Sequence, residues 1–163
     1  MKNTKTVARI ALLTVLALAL SYLELLVPLN IGVPGIKLGL PNVVIIFALY
    51  RLRSRDAIAI SLIRVLLAAL LFGSVLSMAY SLAGALLSFL VMLLLHGSRK
   101  FGCTGVSVAG AVAHNLGQVL AAVVLLETRQ LVWYFPALCL SGVVAGVCIG
   151  LVSALMIKRV GAN

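Results

Sequence analysis

Three polar side chains lie close together in an otherwise apolar stretch, where the segment VAHNLGQVL contains His114, Asn115 and Gln118. A spacing of four places His114 and Gln118 on one face of a helix, while Asn115 points about 100° away. An imidazole and two amides can hold a ligand by directional hydrogen bonds, and a histidine can titrate near neutral pH. The segment therefore predicts one polar wall of a binding site; a packing role for His114 is the alternative.

Arg64 is the ionisable residue best placed to join this wall. It follows Asp56 by eight positions in an apolar run, about 12 Å along a helix. An ionisable group at membrane depth marks a functional site by default, because burying its charge is costly. Arg64 either neutralises an anionic ligand or pairs with Glu24 as a structural strut, and Glu24 could also bind a ligand amine.

The segment Leu29–Pro41 is rich in glycine and carries Lys37. Its glycines either permit a surface turn or let backbone N–H groups approach a ligand, with Lys37 as a point charge. A cluster with more cations and hydrogen-bond donors than acids suits an anionic or strongly polar small molecule. We predict a ligand site of seven residues: Glu24, Lys37, Asn42, Arg64, His114, Asn115 and Gln118.

Other kinds of chemistry lack the residues that they require. The three acids, Glu24, Asp56 and Glu127, are too scattered for magnesium-dependent diphosphate chemistry or a Ser-His-Asp triad. Two histidines and three dispersed cysteines do not form a zinc motif, and we expect the cysteines to be free and buried. No P-loop occurs. We therefore expect no catalytic residues, no metal and no cofactor.

The composition indicates a membrane protein. The chain has 163 residues, of which 64% are hydrophobic and only 10% charged, and its mean hydropathy is +1.26, whereas soluble domains carry roughly a quarter charged residues. The net charge of +10 arises from basic clusters between apolar runs, a typical topology signal. We therefore expect a lipid bilayer as the surroundings and no nucleic-acid partner.

The apolar runs predict an all-α fold, with one domain over residues 1–163 and six transmembrane helices. Prolines and glycines shorten the second span, and the long sixth span is expected to tilt or to kink near Pro136. A signal peptide ending near Ala19 is the alternative for the first span, although the apolar stretch continues past it. The expected spans are Val7–Val27, Leu38–Tyr50, Asp56–Phe72, Met78–Leu95, Gly105–Leu126 and Leu131–Ile157.

The connections between these spans alternate in charge. Ten basic residues lie on one side, against only Lys37 and Arg129 on the other. By the positive-inside rule, both termini are then cytoplasmic.

Small residues recur at four-residue spacing, which lets helices approach closely in lipid. They either pack within the chain or form a docking face for another membrane subunit. In the fifth span, we expect Ala109, Ala113 and Gly117 on the face opposite the polar wall. The residues are Ala17 and Ser21 in the first span, Ala109, Ala113, Gly117 and Ala121 in the fifth, and Gly142, Gly146 and Gly150 in the sixth.

An ordered set of motifs spans nearly the whole chain: Glu24, PGIKLGL, Arg64, Phe72-Gly73 and HNLGQ. With their flanking segments, such as SYLELLVPLNIGVPGIKLGLPNVVIIFALY and GAVAHNLGQVLAA, they resemble the bacterial Gx transporter family. Members of that family are often named heptaprenyl diphosphate synthase component I. The family is similar in size and topology to the substrate-binding S components of energy-coupling factor transporters.

The resemblance implies a multi-pass subunit of the bacterial cytoplasmic (inner) membrane that binds a small metabolite near the outer surface. S components work with an energy-coupling transmembrane protein and ATPases, and dock through an Ala-x-x-x-Ala pattern; Ala17-x-x-x-Ser21 is the nearest match here. The component name implies an alternative function, as the non-catalytic membrane component of a heptaprenyl or polyprenyl diphosphate synthase in quinone biosynthesis. Its docking surface would be cytoplasmic, around Arg51–Arg55 and Arg99–Lys100. Both functions favour an anionic, isoprenoid or quinone-related ligand.

Overall fold

Proline, glycine and serine divide the apolar sequence into helices of unequal length. The computed structural model describes residues 4–26 and 38–160, which contain helices and no strand, as expected for an all-α fold. Lys37 and most of the segment Leu29–Pro41 lie outside the described residues. The α-helices are α1 (Thr4–Leu26), α2 (Asn42–Arg51), α3 (Ser54–Phe72), α4 (Val75–Ser98), α5 (Cys103–Leu125) and α6 (Phe135–Val160).

The helix boundaries follow local capping. Ser74 and Ser77 form a reciprocal capping box, so α4 begins at Val75 rather than at the predicted Met78. The predicted sixth span, Leu131–Ile157, changes helix type next to Pro136. A 3₁₀ helix over Arg129–Tyr134 precedes α6, and Pro136 is the second residue of α6, where its missing N–H has no helical partner to lose.

Four helical segments of the described chain are long and apolar enough to cross a membrane: α1, α4, α5 and the stretch 129–160. The ten residues of α2 extend about 15 Å, roughly half of a hydrocarbon core. The Ser153 hydroxyl donates to the Val43 carbonyl at 3.5 Å. Because Ser153 lies in the second half of α6, α2 begins inside the bundle and not at its surface.

Five helices, α2 to α6, form a ring in which each packs against its neighbours, and α2 closes the ring between α6 and α3. α1 lies outside the ring, against α3 and α2. The most extensive packing is that of α5 against both α4 and α6. Contacts with two helices therefore fix the position of α5, the helix that carries the predicted polar wall.

The two ends of the ring differ. At one end, which we call the basic end, lie the exposed residues Arg53 and Arg99 and the C-terminus of α6, where the Arg51 guanidinium donates to the Ile157 carbonyl. The nearby half of the ring is filled by an apolar core. This core includes Ile45, Ile46, Leu49, Ile60, Phe89, Met92, Val106 and Ile149.

The outward faces are apolar, as lipid contact requires: Leu12, Leu70 and Val124 are all 70% or more exposed. The three cysteines are free, with Cys103 and Cys139 half-buried. Cys148 is exposed, so the prediction that it is buried is wrong. α6 packs on α5 through Gly146 and Gly150, and Cys148 lies midway between them, on the opposite side of the helix.

Candidate functional site

The half of the ring away from the basic end encloses a cavity of about 630 Å³. Its exposed lining residues include Leu25, Phe72, Gly73 and Ser74, at the ends of α1, α3 and α4, and we call this region the mouth. A cavity of this size is typical of sites for small metabolites.

Six of the seven residues predicted as ligand-binding line this cavity. They come from four helices, so the fold brings together groups that are up to 94 positions apart in the sequence. Lys37 lies outside the described residues. The six are Glu24, Asn42, Arg64, His114, Asn115 and Gln118.

Arg64 and Glu24 are the formally charged residues among the described ones that line the cavity, and the charge of Glu24 acts on Arg64. The Arg64 Nε is buried and has no hydrogen-bond partner within the described segments. Glu24 Oε1 also accepts a hydrogen bond from the Gly39 N–H at 2.5 Å. Gly39 has φ +72°, a backbone conformation that side chains disfavour, and its carbonyl accepts from Asn42 N at 2.8 Å.

Glu24 therefore has two roles in the cavity: it compensates Arg64 and fixes the turn that leads into α2. Both the strut and the ligand-binding interpretation of Arg64 are compatible with this arrangement. The glycines in this segment were expected either to form a turn or to let backbone N–H groups approach a ligand. Gly39 lies in a turn, and its N–H donates to the Glu24 carboxylate.

His114 and Gln118 lie where α4 and α5 approach most closely. A methyl group added to Gly84 would lie 2.8 Å from the His114 carbonyl oxygen and 2.9 Å from Gln118 Cγ. One added to Gly117 would lie 2.7 Å from the Ala83 carbonyl oxygen. The prediction that Gly117 packs on the face opposite the polar wall is therefore wrong.

The reason is that α5 has packed helices on two sides. Gly110 and Gly117 face α4, whereas Ala111 and Asn115 face α6. Polar and small residues thus alternate within the α4–α5 and α5–α6 interfaces. The cavity lies where these helices separate from one another.

Asn115 joins α5 to α6. Its Nδ2 donates to the Leu138 carbonyl at 2.6 Å, and the Ser141 hydroxyl donates to the same carbonyl at 2.9 Å. Gly142 makes room for the amide, since a methyl group at Gly142 would lie 2.9 Å from Asn115 Nδ2. Asn115 therefore orients one wall of the cavity as well as lining it.

Most of the small residues considered for packing or docking are buried within the chain, and Ala109 and Ala121 are half-buried. Ala17 and Ser21 of α1 are 0% and 9% exposed, and the Ser21 hydroxyl donates to the Ala17 carbonyl. The buried glycines of α6 face α5: an added methyl at Gly146 would meet Val108 Cα at 2.7 Å, and one at Gly150 would meet Thr104 Cα at 2.6 Å.

The structure adds residues to the site that the sequence analysis missed. Ser74, the N-cap of α4, and Ser77 and Ser81 of α4 line the cavity beside the predicted groups. Their spacing of three and four residues, typical of one helix face, was a signal that could have identified them. Met92, which lies deep in the cavity, had no such signal because it is apolar.

The resulting site is rich in hydrogen-bond donors, with a guanidinium, an imidazole, amides and hydroxyls, and contains one carboxylate among the described lining residues. No group of three or more potential metal ligands occurs within residues 4–26 and 38–160. Such a donor set suits a ligand head that carries acceptor oxygens.

Comparison with known proteins gives one informative result. The chain matches no curated protein and no solved structure. A family model described as heptaprenyl diphosphate synthase component I matches residues 13–156, from the middle of α1 to near the end of α6. The chain therefore belongs to the heptaprenyl diphosphate synthase component I family, and the family resemblance seen in its motifs is confirmed.

Proposed function

We propose that this chain is a non-catalytic membrane component that binds a small anionic or isoprenoid- or quinone-related metabolite in the cavity between its helices. The observation that carries the proposal is Arg64. Its guanidinium lines a cavity within apolar helices, and Nε lacks a protein partner in the described chain. A ligand with acceptor oxygens would supply that partner and share the charge compensation that Glu24 provides.

The remaining lining groups define how such a ligand is held. His114 and Gln118 line the same cavity as Arg64, and Ser77 and Ser81 offer hydroxyls from α4. Hydrogen bonds from charged donors contribute more than neutral ones, so Arg64 sets the affinity and the neutral groups set the orientation.

The test is ligand binding by purified protein in lipid nanodiscs. Native mass spectrometry first identifies any retained small molecule, and calorimetry then measures inorganic phosphate, inorganic diphosphate and isopentenyl diphosphate. Arg64→Ala should weaken binding about 10- to 100-fold, as loss of a charged hydrogen bond does. Arg55→Ala is the matched control, because Arg55 is an exposed arginine on the same helix. No retained molecule, together with identical titrations for the two variants, would refute the proposal.

Two fates of the ligand are compatible with this site. The mouth lies at the end of the ring opposite the basic end, which the charge pattern predicts to be extracellular. This placement favours uptake, as in a substrate-binding subunit of an energy-coupling factor transporter in the bacterial inner membrane, with a coupling protein and ATPases as partners. Binding by right-side-out but not by inside-out vesicles is the expected result.

The family favours the second fate, in which the chain assists a soluble heptaprenyl diphosphate synthase. The exposed basic end, with Arg53, Arg99 and Lys100, would be its docking surface. Co-purification with a synthase that is lost in Arg53→Glu/Arg99→Glu supports this fate. Arg129→Glu is the control, because Arg129 is also exposed but precedes α6, at the other end of the ring. A synthase that co-purifies equally with both variants argues against it.

A further inference from the structure

The cavity is polar near its mouth and mostly apolar at its floor. Glu24, Arg64, Ser77 and Gln118 occupy its outer and middle parts. Most lining residues nearest the basic end are apolar and buried: Ile46 is 1% exposed, Met92 3% and Ile149 7%, and the buried Ser107 is the polar residue among them. A ligand that matches this gradient is an amphiphile with its oxygen-rich head at Arg64 and its apolar part directed inward.

The floor is closed. Ile46, Met92 and Ile149 belong to the apolar core that fills the half of the ring next to the basic end. Interiors of this kind are close-packed, so an apolar chain could pass further only by displacing core side chains. The cavity is therefore blind, and its volume limits the length of what it can hold.

The volume sets that limit. At about 30 Å³ per water-sized atom, a cavity of about 630 Å³ holds about 21 non-hydrogen atoms. By the same measure, a diphosphate with one isoprene unit has about 14 such atoms, one with two units about 19 and one with seven about 44. The first two fit the cavity, and the full heptaprenyl chain exceeds it about twofold.

We propose that the site takes an amphiphile with an acidic, oxygen-rich head and an apolar body of one or two isoprene units. This inference rests on the proposed function. The site excludes the seven-unit product for which the family is named. The ligand is therefore of precursor size. Arg64 binds the head, and Met92 and Ile149 bound the chain length.

The test is a chain-length series of isopentenyl, geranyl, farnesyl and geranylgeranyl diphosphate, titrated into nanodiscs. The Arg64→Ala variant is subtracted to remove partition into lipid. We expect the Arg64-dependent affinity to be highest with one or two units and at least tenfold lower with four. Met92→Ala, which shortens a floor side chain, should move the preference towards farnesyl diphosphate.

The outcomes separate this inference from the proposed function. Arg64-dependent binding that is as tight with four units as with two overturns the length limit and leaves the proposed function intact. A Met92→Ala variant that folds normally and keeps the wild-type preference overturns the assignment of the floor. If no member of the series binds in an Arg64-dependent manner, and Arg64→Ala also leaves phosphate and diphosphate titrations unchanged, the proposed function itself fails.

Discussion

Gly117→Ala is the substitution that best tests whether close helix packing positions the site. The added methyl would lie 2.7 Å from the Ala83 carbonyl oxygen and 2.9 Å from Gly84 Cα. Both are backbone atoms of α4, so no side chain can rotate away. To reach ordinary contact distance, the two helices must separate by roughly 0.7 Å or more.

Overpacking of this kind costs about 1–3 kcal/mol. Alanine also has a higher helix propensity than glycine, by up to about 1 kcal/mol in a helix interior. The control must therefore gain the same propensity without the clash. Gly105→Ala meets this requirement, because Gly105 is exposed on the same helix and its added methyl would lie 3.7 Å from the nearest atoms, in Phe101.

The assay is reversible unfolding in mixed micelles, followed by circular dichroism, with a parallel ligand titration. Gly117→Ala should unfold with a free energy about 1–3 kcal/mol lower than Gly105→Ala. It should also bind ligand more weakly, because His114 and Gln118 flank the displaced contact. Equal stability of the two variants would refute the close α4–α5 contact. Lower stability with unchanged ligand affinity would refute the link between this contact and the site.

The remaining predictions concern Glu24 and Gly142. Glu24→Gln keeps an oxygen that can accept from the Gly39 N–H but removes the charge that compensates Arg64; calorimetry should show an anionic head group binding about tenfold tighter, or ~1.4 kcal/mol. Glu24→Ala also loses the hydrogen bond, so a fall of the melting temperature below that of Glu24→Gln is expected, and equal values would contradict a role for that bond. Gly142→Ala places a methyl 2.9 Å from Asn115 Nδ2, so it should lower the free energy of unfolding by about 1–3 kcal/mol. In a chain that already carries Asn115→Ala, the same substitution should lower it by much less.

Much of the fold could be predicted from the sequence, because apolar runs and helix breakers are local signals. All six predicted spans start and end within about four residues of the observed helices, and boundary errors of this size are usual. The depth of α2 could not be predicted. It depends on the Ser153–Val43 contact, which joins residues 110 positions apart.

The site shows a similar division. Polar groups in apolar helices are conspicuous by composition, so Arg64 and His114 could be identified as members of a site from the sequence. The enclosure of the cavity could not, because Met92 and Ile149 differ in no local respect from apolar residues that face lipid. Ring closure by α2 decides which apolar side chains become a floor, and this is a tertiary property.

The orientation of α5 failed as a prediction for a related physical reason. An assignment of one polar and one packing face assumes a single helical neighbour, as for a helix at the surface of a soluble protein. In lipid, outward residues are apolar and polar groups turn inward, so they share the interface with the small residues that allow close approach. Gly84 and Gly117 accordingly bring α4 against His114. A packing role and a ligand role for His114 are then not alternatives, because the contact that packs the imidazole also fixes its position at the cavity.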